Sequence, residues 1–405
     1  MKKCILLCLL LFSAYTCVST QQNQPKNLVS TVTKNPILPL FTFTINNNEE
    51  YFISISGPYI VRNCNNSLPR PIVPCDSAAC VLAGTFNPHQ CPLTQNIITQ
   101  RGCVCQATAF EPFKRICNSN QFTFGNFSMS TLNPKSPSVT FNNLNYLCIP
   151  QPFLADFPPG VFGLMGLSPT PLAGWNQLTP PRLGLEKKFA LCLPSDENPR
   201  NKGAIYFGGG PYMLRNVDAR SMLSYTRLIR NPRKRNTYFV RLYDISVNNK
   251  KILLARNTFD FDSNRDGGVA LSTATFYTTL RSDIYKVFTE AFLEATSDIP
   301  RVSNTTSLEF CYKSTTNFQV PRIDLSLADE KIWTFFAANS MRKVSDAETC
   351  LAFVNGGNAP EQAVVIGLYQ MENTLMEFDV GRCVFGFSSS LGLVNSSCGD
   401  FQTRL

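Results

Sequence analysis

Gly267-Gly268-Val269-Ala270-Leu271-Ser272-Thr273-Ala274-Thr275-Phe276-Tyr277-Thr278-Thr279-Leu280-Arg281-Ser282-Asp283-Ile284-Tyr285 is the stretch on which the reading of this chain turns. A short apolar strand behind paired glycines ends on small hydroxyl residues, and a helix follows. Ile284, Val287, Phe288, Ala291 and Phe292 recur at helical spacing across Asp283 to Thr296, with Ser282 placed to cap the start. Just upstream, Tyr238 to Val247 alternates apolar and polar residues, the pattern of a half-buried strand. The chain has 405 residues, enough for two substantial cores, and its 27 Pro and 22 Gly suit many short strands and turns. It shows no internal repeat and no low-complexity tract. Two Gly-centred apolar runs nevertheless echo each other, Gly160-Val161-Phe162-Gly163-Leu164-Met165-Gly166-Leu167 and Ala363-Val364-Val365-Ile366-Gly367.

Together these segments resemble the pepsin-like aspartic proteinases. The opening stretch resembles the active-site strand and turn of the C-terminal lobe, with Ser272 in the place of the catalytic Asp. Phe52-Ile53-Ser54-Ile55-Ser56-Gly57 and Pro58 to Cys64 align with the N-terminal counterpart, which places Ser54 where the first Asp would be. The Gly-centred runs resemble the strand that threads each lobe, where glycine allows close backbone approach. Met376 to Asp379 with Val384 to Ser388 resemble the closing strand pair of the second lobe. Phe189-Ala190-Leu191-Cys192-Leu193 and Phe207-Gly208-Gly209-Gly210-Pro211-Tyr212 resemble a plant branch of the fold. That branch holds xylanase inhibitors, xyloglucanase inhibitors, extracellular dermal glycoprotein and basic 7S globulin. The resemblance implies a mainly β, bilobal, disulfide-rich pepsin-like fold, with an N-terminal lobe over 28–212 and a C-terminal lobe over 213–401.

Peptide hydrolysis by two carboxylates needs one ionised to activate water and one protonated to polarise the carbonyl. Serine can do neither, and no Asp-Thr-Gly or Asp-Ser-Gly tripeptide occurs in the chain. With Ser54 and Ser272 at the dyad positions, the expectation is a fold without peptidase activity. The Asp76-Ser77-Ala78 tripeptide, in a Cys-rich loop, is a poor substitute. One His, no Gly-x-Ser-x-Gly elbow and no phosphate-binding Gly loop leave little for other hydrolase or transferase chemistry, and no cofactor is expected.

Lys2 and Lys3 precede the apolar run Ile5 to Phe12, and Val18-Ser19-Thr20 supplies small residues, so residues 1–20 read as a secretory signal peptide. Nothing later is apolar enough for a membrane anchor. Removing both lysines lowers the formal charge from +9 to +7, leaving a basic protein in an extracellular space, the apoplast or cell wall. Of 16 cysteines, 13 lie beyond the leader, a set that an oxidising compartment favours as disulfides. The plant branch implies pairing of Cys311 with Cys350 and of Cys192 with Cys398. It leaves Cys383 unmatched, read as a small buried residue on the strand Arg382 to Phe387. A zinc site in the Cys75 to Cys117 segment is disfavoured, since His89 is the only His. Sequons at Asn65, Asn126, Asn304 and Asn395 offer glycan acceptors.

Arg227, Arg230, Arg233, Lys234, Arg235 and Arg241 form a basic stretch, read first as a solvated loop. Its functional alternative is attraction to acidic cell-wall polysaccharide or to an acidic microbial enzyme. Nucleic acid is not expected as a partner. Two main functions remain. One is a cell-wall binding protein resembling inhibitors of secreted microbial glycoside hydrolases, using loops around Gly356, Gly357 and Glu361 and around Leu391 to Ser397. The other is a secreted aspartic endopeptidase, with a lectin-like or storage role as a third. In the inhibitors a His or Arg lies four residues before the final Cys; here that position is Val394, beside the Asn395 sequon.

Overall fold

Strands rich in Phe, Val, Ile and Tyr pair into one mixed sheet, in which a run of seven antiparallel strands joins the first half of the chain to the second. The computed structural model describes residues 27–35, 38–46, 48–64, 70–88, 91–100, 102–111, 116–132, 137–150, 157–195, 202–302, 308–314 and 319–403. The 1–20 leader, His89 and the Asn65 and Asn304 sequons lie outside the described residues. Across the sheet, Phe41–Ile45 pairs with Leu28–Lys34, which pairs with Gly203–Phe207, which pairs with Lys188–Cys192. Lys188–Cys192 then pairs with Leu375–Asp379 of the second half, which pairs with Val384–Phe387, which in turn pairs with Ser224–Ile229. The closing strand pair of the second half is therefore also the seam between halves. Phe189 stacks on Phe378 across it, with ring centroids 4.7 Å apart.

Each half repeats one pattern of four short strands. In the first, Glu49–Ser54 runs parallel to Val161–Gly166, which is antiparallel to Ile60–Asn63, which is parallel to Ser138–Ile149. In the second, Val269–Leu271 runs parallel to Val364–Ile366, antiparallel to Thr278–Leu280, itself parallel to Phe353–Asn355. The echoed glycines close both patterns. A Cβ on Gly166 would lie 2.3 Å from the Tyr59 carbonyl oxygen, and one on Gly367 would lie 2.6 Å from that of Phe276. Only glycine admits such an approach.

Among the described residues the fold is closed by six disulfides. Cys75–Cys103, Cys80–Cys105 and Cys91–Cys117 knit the segment before the long strand Ile116–Ser130. Ser77 there caps the helix Ala78–Thr85, its hydroxyl accepting from Cys80 N at 3.3 Å. Cys311–Cys350 and Cys192–Cys398 are both formed.

Three local readings change. The helix spans Ser282–Ala295, and its N-cap is Arg281. Ser282 instead donates its hydroxyl to Asn355 Oδ1 at 2.8 Å, a tertiary partner that sequence periodicity does not show. The strand expected over Tyr238 to Val247 divides at Arg241 into Phe239–Val240 and Leu242–Val247, which pair with different neighbours. Cys383 has no disulfide partner and precedes the strand Val384–Phe387 in a tight turn at φ 58°, half-buried rather than enclosed.

The seam encloses a polar cluster. Lys188, 8% exposed, reaches Glu186 at 2.8 Å, Asp379 at 3.1 Å and Glu377 at 3.5 Å. Tyr212 and Tyr225 donate to the Glu377 carboxylate at 2.6 and 3.1 Å. Burial draws the Lys188 ammonium down, but hydrogen bonds to Glu186 and Asp379 and the charges of Glu377 and Asp379 outweigh it, so its pKa is raised. Burial and then the Glu377 charge push the Tyr225 phenol up to about 12. Both folded values exceed the ordinary 10.5 and 10.0, so the cluster's stabilisation is present below those values and lost as pH rises through the folded ones. The thermal midpoint should therefore fall as pH rises from 10 to 12, and Tyr225→Phe should flatten that slope in a pH series of melts.

Candidate functional site

The two serine-bearing turns meet at the mouth of the repeated strands. Glu49–Ser54 delivers Ser54, whose carbonyl accepts from Leu167 N at 2.8 Å and Gly57 N at 3.2 Å. Val269–Leu271 delivers Ser272, whose N–H donates to the Ile366 carbonyl at 3.0 Å. Each serine thus follows or ends a strand clamped against its half's Gly-centred partner. A buried hydrogen bond ties one turn to the other: Ile55 N donates to Thr273 Oγ1 at 3.1 Å. By register from Ser54 and Ser272, Ile55 occupies the place in the first turn that Thr273 occupies in the second. It carries no hydroxyl, so the tie runs one way only.

Ser54 and Ser272 both line a cleft of about 260 Å³. Tyr59, Phe157 and Leu164 supply apolar walls, while Lys234 and Glu361 are the charged residues among the described lining. Lys234 is held by Asp266 Oδ1 at 2.7 Å and the Glu361 carbonyl at 2.8 Å, with the Glu361 carboxylate 3.5 Å away. Ser54 is 6% exposed. The Ser272 hydroxyl accepts from Ala274 N at 3.1 Å and Thr275 N at 3.2 Å, a local turn that uses it as an acceptor. Burial pushes the Tyr59 phenol well up, and its hydroxyl donates to the Thr108 carbonyl, so it stays neutral.

Among the described lining no two carboxylates lie together. The cleft carries two serine hydroxyls, and no His or Asp is among the described lining to activate either one. Glycoside hydrolysis needs a carboxylate pair as well. The described lining offers only the Glu361 carboxylate, which lies beside Lys234. What remains is a preformed, partly apolar concavity suited to binding.

The loop residues fall in three places. Glu361 lines the cleft. Gly356 N donates to the Leu280 carbonyl at 2.7 Å, and the Gly357 carbonyl accepts from Ser282 N at 2.9 Å, so this turn braces the helix start. Val394 closes the 3-10 turn Leu391–Val394, exposed at 53% beside Leu393 at 56%. Asn395 follows at φ 52°, exposed, its carbonyl accepting from the Arg215 guanidinium at 3.0 Å. Asn126 is also exposed, at a register shift in the hairpin between Ile116–Ser130 and Ser138–Ile149.

The sequence offers Thr273 as a hydrogen-bonding group across the cleft, but nothing in it names Ile55 N as the donor. Thr273→Val keeps the shape but leaves a buried N–H without its acceptor, which should cost about 1–3 kcal/mol. Urea denaturation of the variant measures that loss.

Residues 58–209 match the family described as Xylanase inhibitor N-terminal, and residues 237–389 the one described as Xylanase inhibitor C-terminal. The chain is 29% identical over 436 residues to the probable aspartic proteinase GIP2 of Nicotiana benthamiana, spanning 98% of this chain and 97% of that one. It is 31% identical over 404 residues to chitinase CLP of Oryza sativa subsp. japonica, spanning 94% and 92% respectively. The crystal structure of edgp superposes with a TM-score of 0.83 at 26% identity, over 94% of this chain and 99% of that one.

Proposed function

Because this chain belongs to the xylanase-inhibitor family of pepsin-like proteins, we propose that it is a secreted binding protein, retired from proteolysis, whose partner is a microbial glycoside hydrolase in the plant cell wall. The observation that carries this reading is the pair Ser54 and Ser272 lining one cleft where a peptidase needs two carboxylates. In this reading residues 28–212 and 213–401 are the two lobes, and loops of the second make the contact. The disulfide density suits an oxidising extracellular space.

The turn from Leu391 to Ser397 supports the reading by its rigidity. Asp400 accepts from Ser396 Oγ at 2.8 Å and Ser397 N at 2.9 Å, and Cys398 N donates to Asn373 Oδ1 at 2.9 Å. Cys398 is bonded to Cys192. A loop held in this way loses little conformational freedom on binding. Its tip, Leu393 and Val394, is apolar, so the target surface that it meets is apolar too rather than a naked catalytic carboxylate.

The test is inhibition and calorimetric binding with the purified, glycosylated protein against a panel of fungal and bacterial xylanases and xyloglucanases. At least one should bind. The variant Val394→Arg with Asn395→Gln adds a guanidinium and removes the glycan acceptor, and it should tighten binding to an enzyme with an open acidic cleft by about tenfold or more. If neither protein binds any enzyme of the panel while the native one binds a polysaccharide tightly, the lectin-like reading replaces this one.

A further inference from the structure

The basic stretch that sequence reads as a solvated loop divides sharply once its partners are known. Arg227 pairs with Asp329 at 3.2 Å, Arg241 with Asp260 at 3.0 Å and Lys234 with Asp266 at 2.7 Å. Arg230, Arg233 and Arg235 pair differently: their described contacts are to Cys383 Sγ at 3.2 Å, the Asn264 carbonyl at 2.7 Å and the Pro232 carbonyl at 3.0 Å, none of them a carboxylate. Of these, Arg230 and Arg235 line a second cavity of about 360 Å³, next to the serine cleft and sharing Lys234 and Thr237 with it. Its apolar wall is made by Phe86, Pro169, Leu228 and Val380, and no carboxylate belongs to its described lining.

The cavity is built rather than incidental. Asn231, 2% exposed, accepts from Arg233 N at 3.0 Å and Lys234 N at 3.3 Å while donating to the Arg265 carbonyl at 2.6 Å, which fixes the loop carrying both arginines. The Cys383 sulfur steadies the Arg230 guanidinium against the wall. Two arginines on an apolar-walled cavity whose described lining holds no carboxylate favour an anionic ligand, and guanidiniums suit acid groups that present two or more oxygens. The volume is at the lower end of the roughly 300–1,000 Å³ typical of small-molecule sites.

We propose that this cavity binds a small amphipathic acid, its apolar body seated on Phe86, Pro169 and Val380 and its carboxylate or sulfonate held between Arg230 and Arg235. The site is separate from the loops proposed to meet a glycosidase, so the two readings fail independently.

The probe is 8-anilinonaphthalene-1-sulfonate, an aromatic body with one fixed anion, titrated by fluorescence into the folded, disulfide-intact protein at neutral pH. One-to-one binding is expected. Arg230→Ala with Arg235→Ala, both at exposed positions, should weaken it by about tenfold or more. Val380→Trp, which fills the cavity, should abolish it. The neutral N-phenyl-1-naphthylamine should bind wild type and the arginine variant alike. Independently of any variant, saturating probe should slow alkylation of Cys383 by N-ethylmaleimide, read by peptide mass spectrometry. Absence of probe binding to the wild type overturns the proposal. So does undiminished binding in both variants, or a Cys383 alkylation rate that the bound probe leaves unchanged.

Discussion

Replacing Glu372 with alanine destabilises the protein by about 3–5 kcal/mol, because it strands a buried ammonium. Glu372 and Lys34 are 2.9 Å apart with side chains 3% and 4% exposed. Lys34 ends the strand Leu28–Lys34, while Glu372 follows the helix Leu368–Met371. The pair therefore pins the first described strand to the second half of the chain. Lys34 has one further described acceptor, the Ser195 carbonyl at 3.3 Å, which cannot neutralise its charge. The desolvation already borne by both ions means that the pair itself adds little net stability, whereas breaking it exposes the full cost of one uncompensated charge. A Lys34→Met, Glu372→Leu double variant should therefore regain most of what Glu372→Ala loses. Denaturant midpoints of the three proteins decide the matter, and a double variant less stable than Glu372→Ala would show that the pair does more than compensate its own burial.

Removing the Cys192–Cys398 bond, as the double Ala variant, should cost about 5 kcal/mol on loop-closure grounds. Its two cysteines are separated by 206 positions, so the unfolded chain gains much freedom when it is cut. The bond also sits in a core with Tyr206, Tyr212, Leu391 and Phe401, so its loss loosens the anchor of the Leu391 to Ser397 turn. A destabilised protein with weakened enzyme binding is the joint outcome expected. Non-reducing peptide mapping should recover Cys192–Cys398 and Cys311–Cys350 as linked pairs and Cys383 as the alkylatable thiol. A loss under about 1 kcal/mol would mean that the tail is held by its packing alone.

The legible part of this fold was local and repetitive. Val269 to Leu271, Gly163, Gly166 and Gly367 announce themselves because a threaded strand needs glycine wherever another backbone passes close by. The strands that lead into Ser54 and Ser272 are legible too, and both residues line one cleft. What escaped depends on partners far along the chain. Nothing near Lys34 names Glu372 as its counter-ion, and nothing near Ser282 names Asn355. The run from Arg227 to Arg241 looked uniform because charge alone was visible. Only the fold separates Arg227 and Arg241, which meet carboxylates, from Arg230, Arg233 and Arg235, whose described contacts include none. Cys383 was misplaced for a related reason: its left-handed turn is fixed by the hairpin between Leu375–Asp379 and Val384–Phe387 rather than by its own residue type.

We propose that the cleft holding Ser54 and Ser272 performs no acid–base chemistry on peptides. The direct measurement is a peptidase assay of the purified mature protein from acid to neutral pH, with and without pepstatin, beside the Ser54→Ala, Ser272→Ala variant. Neither protein should show pepstatin-sensitive cleavage, and both should fold alike. Cleavage by the native protein that disappears in the double variant would contradict the account.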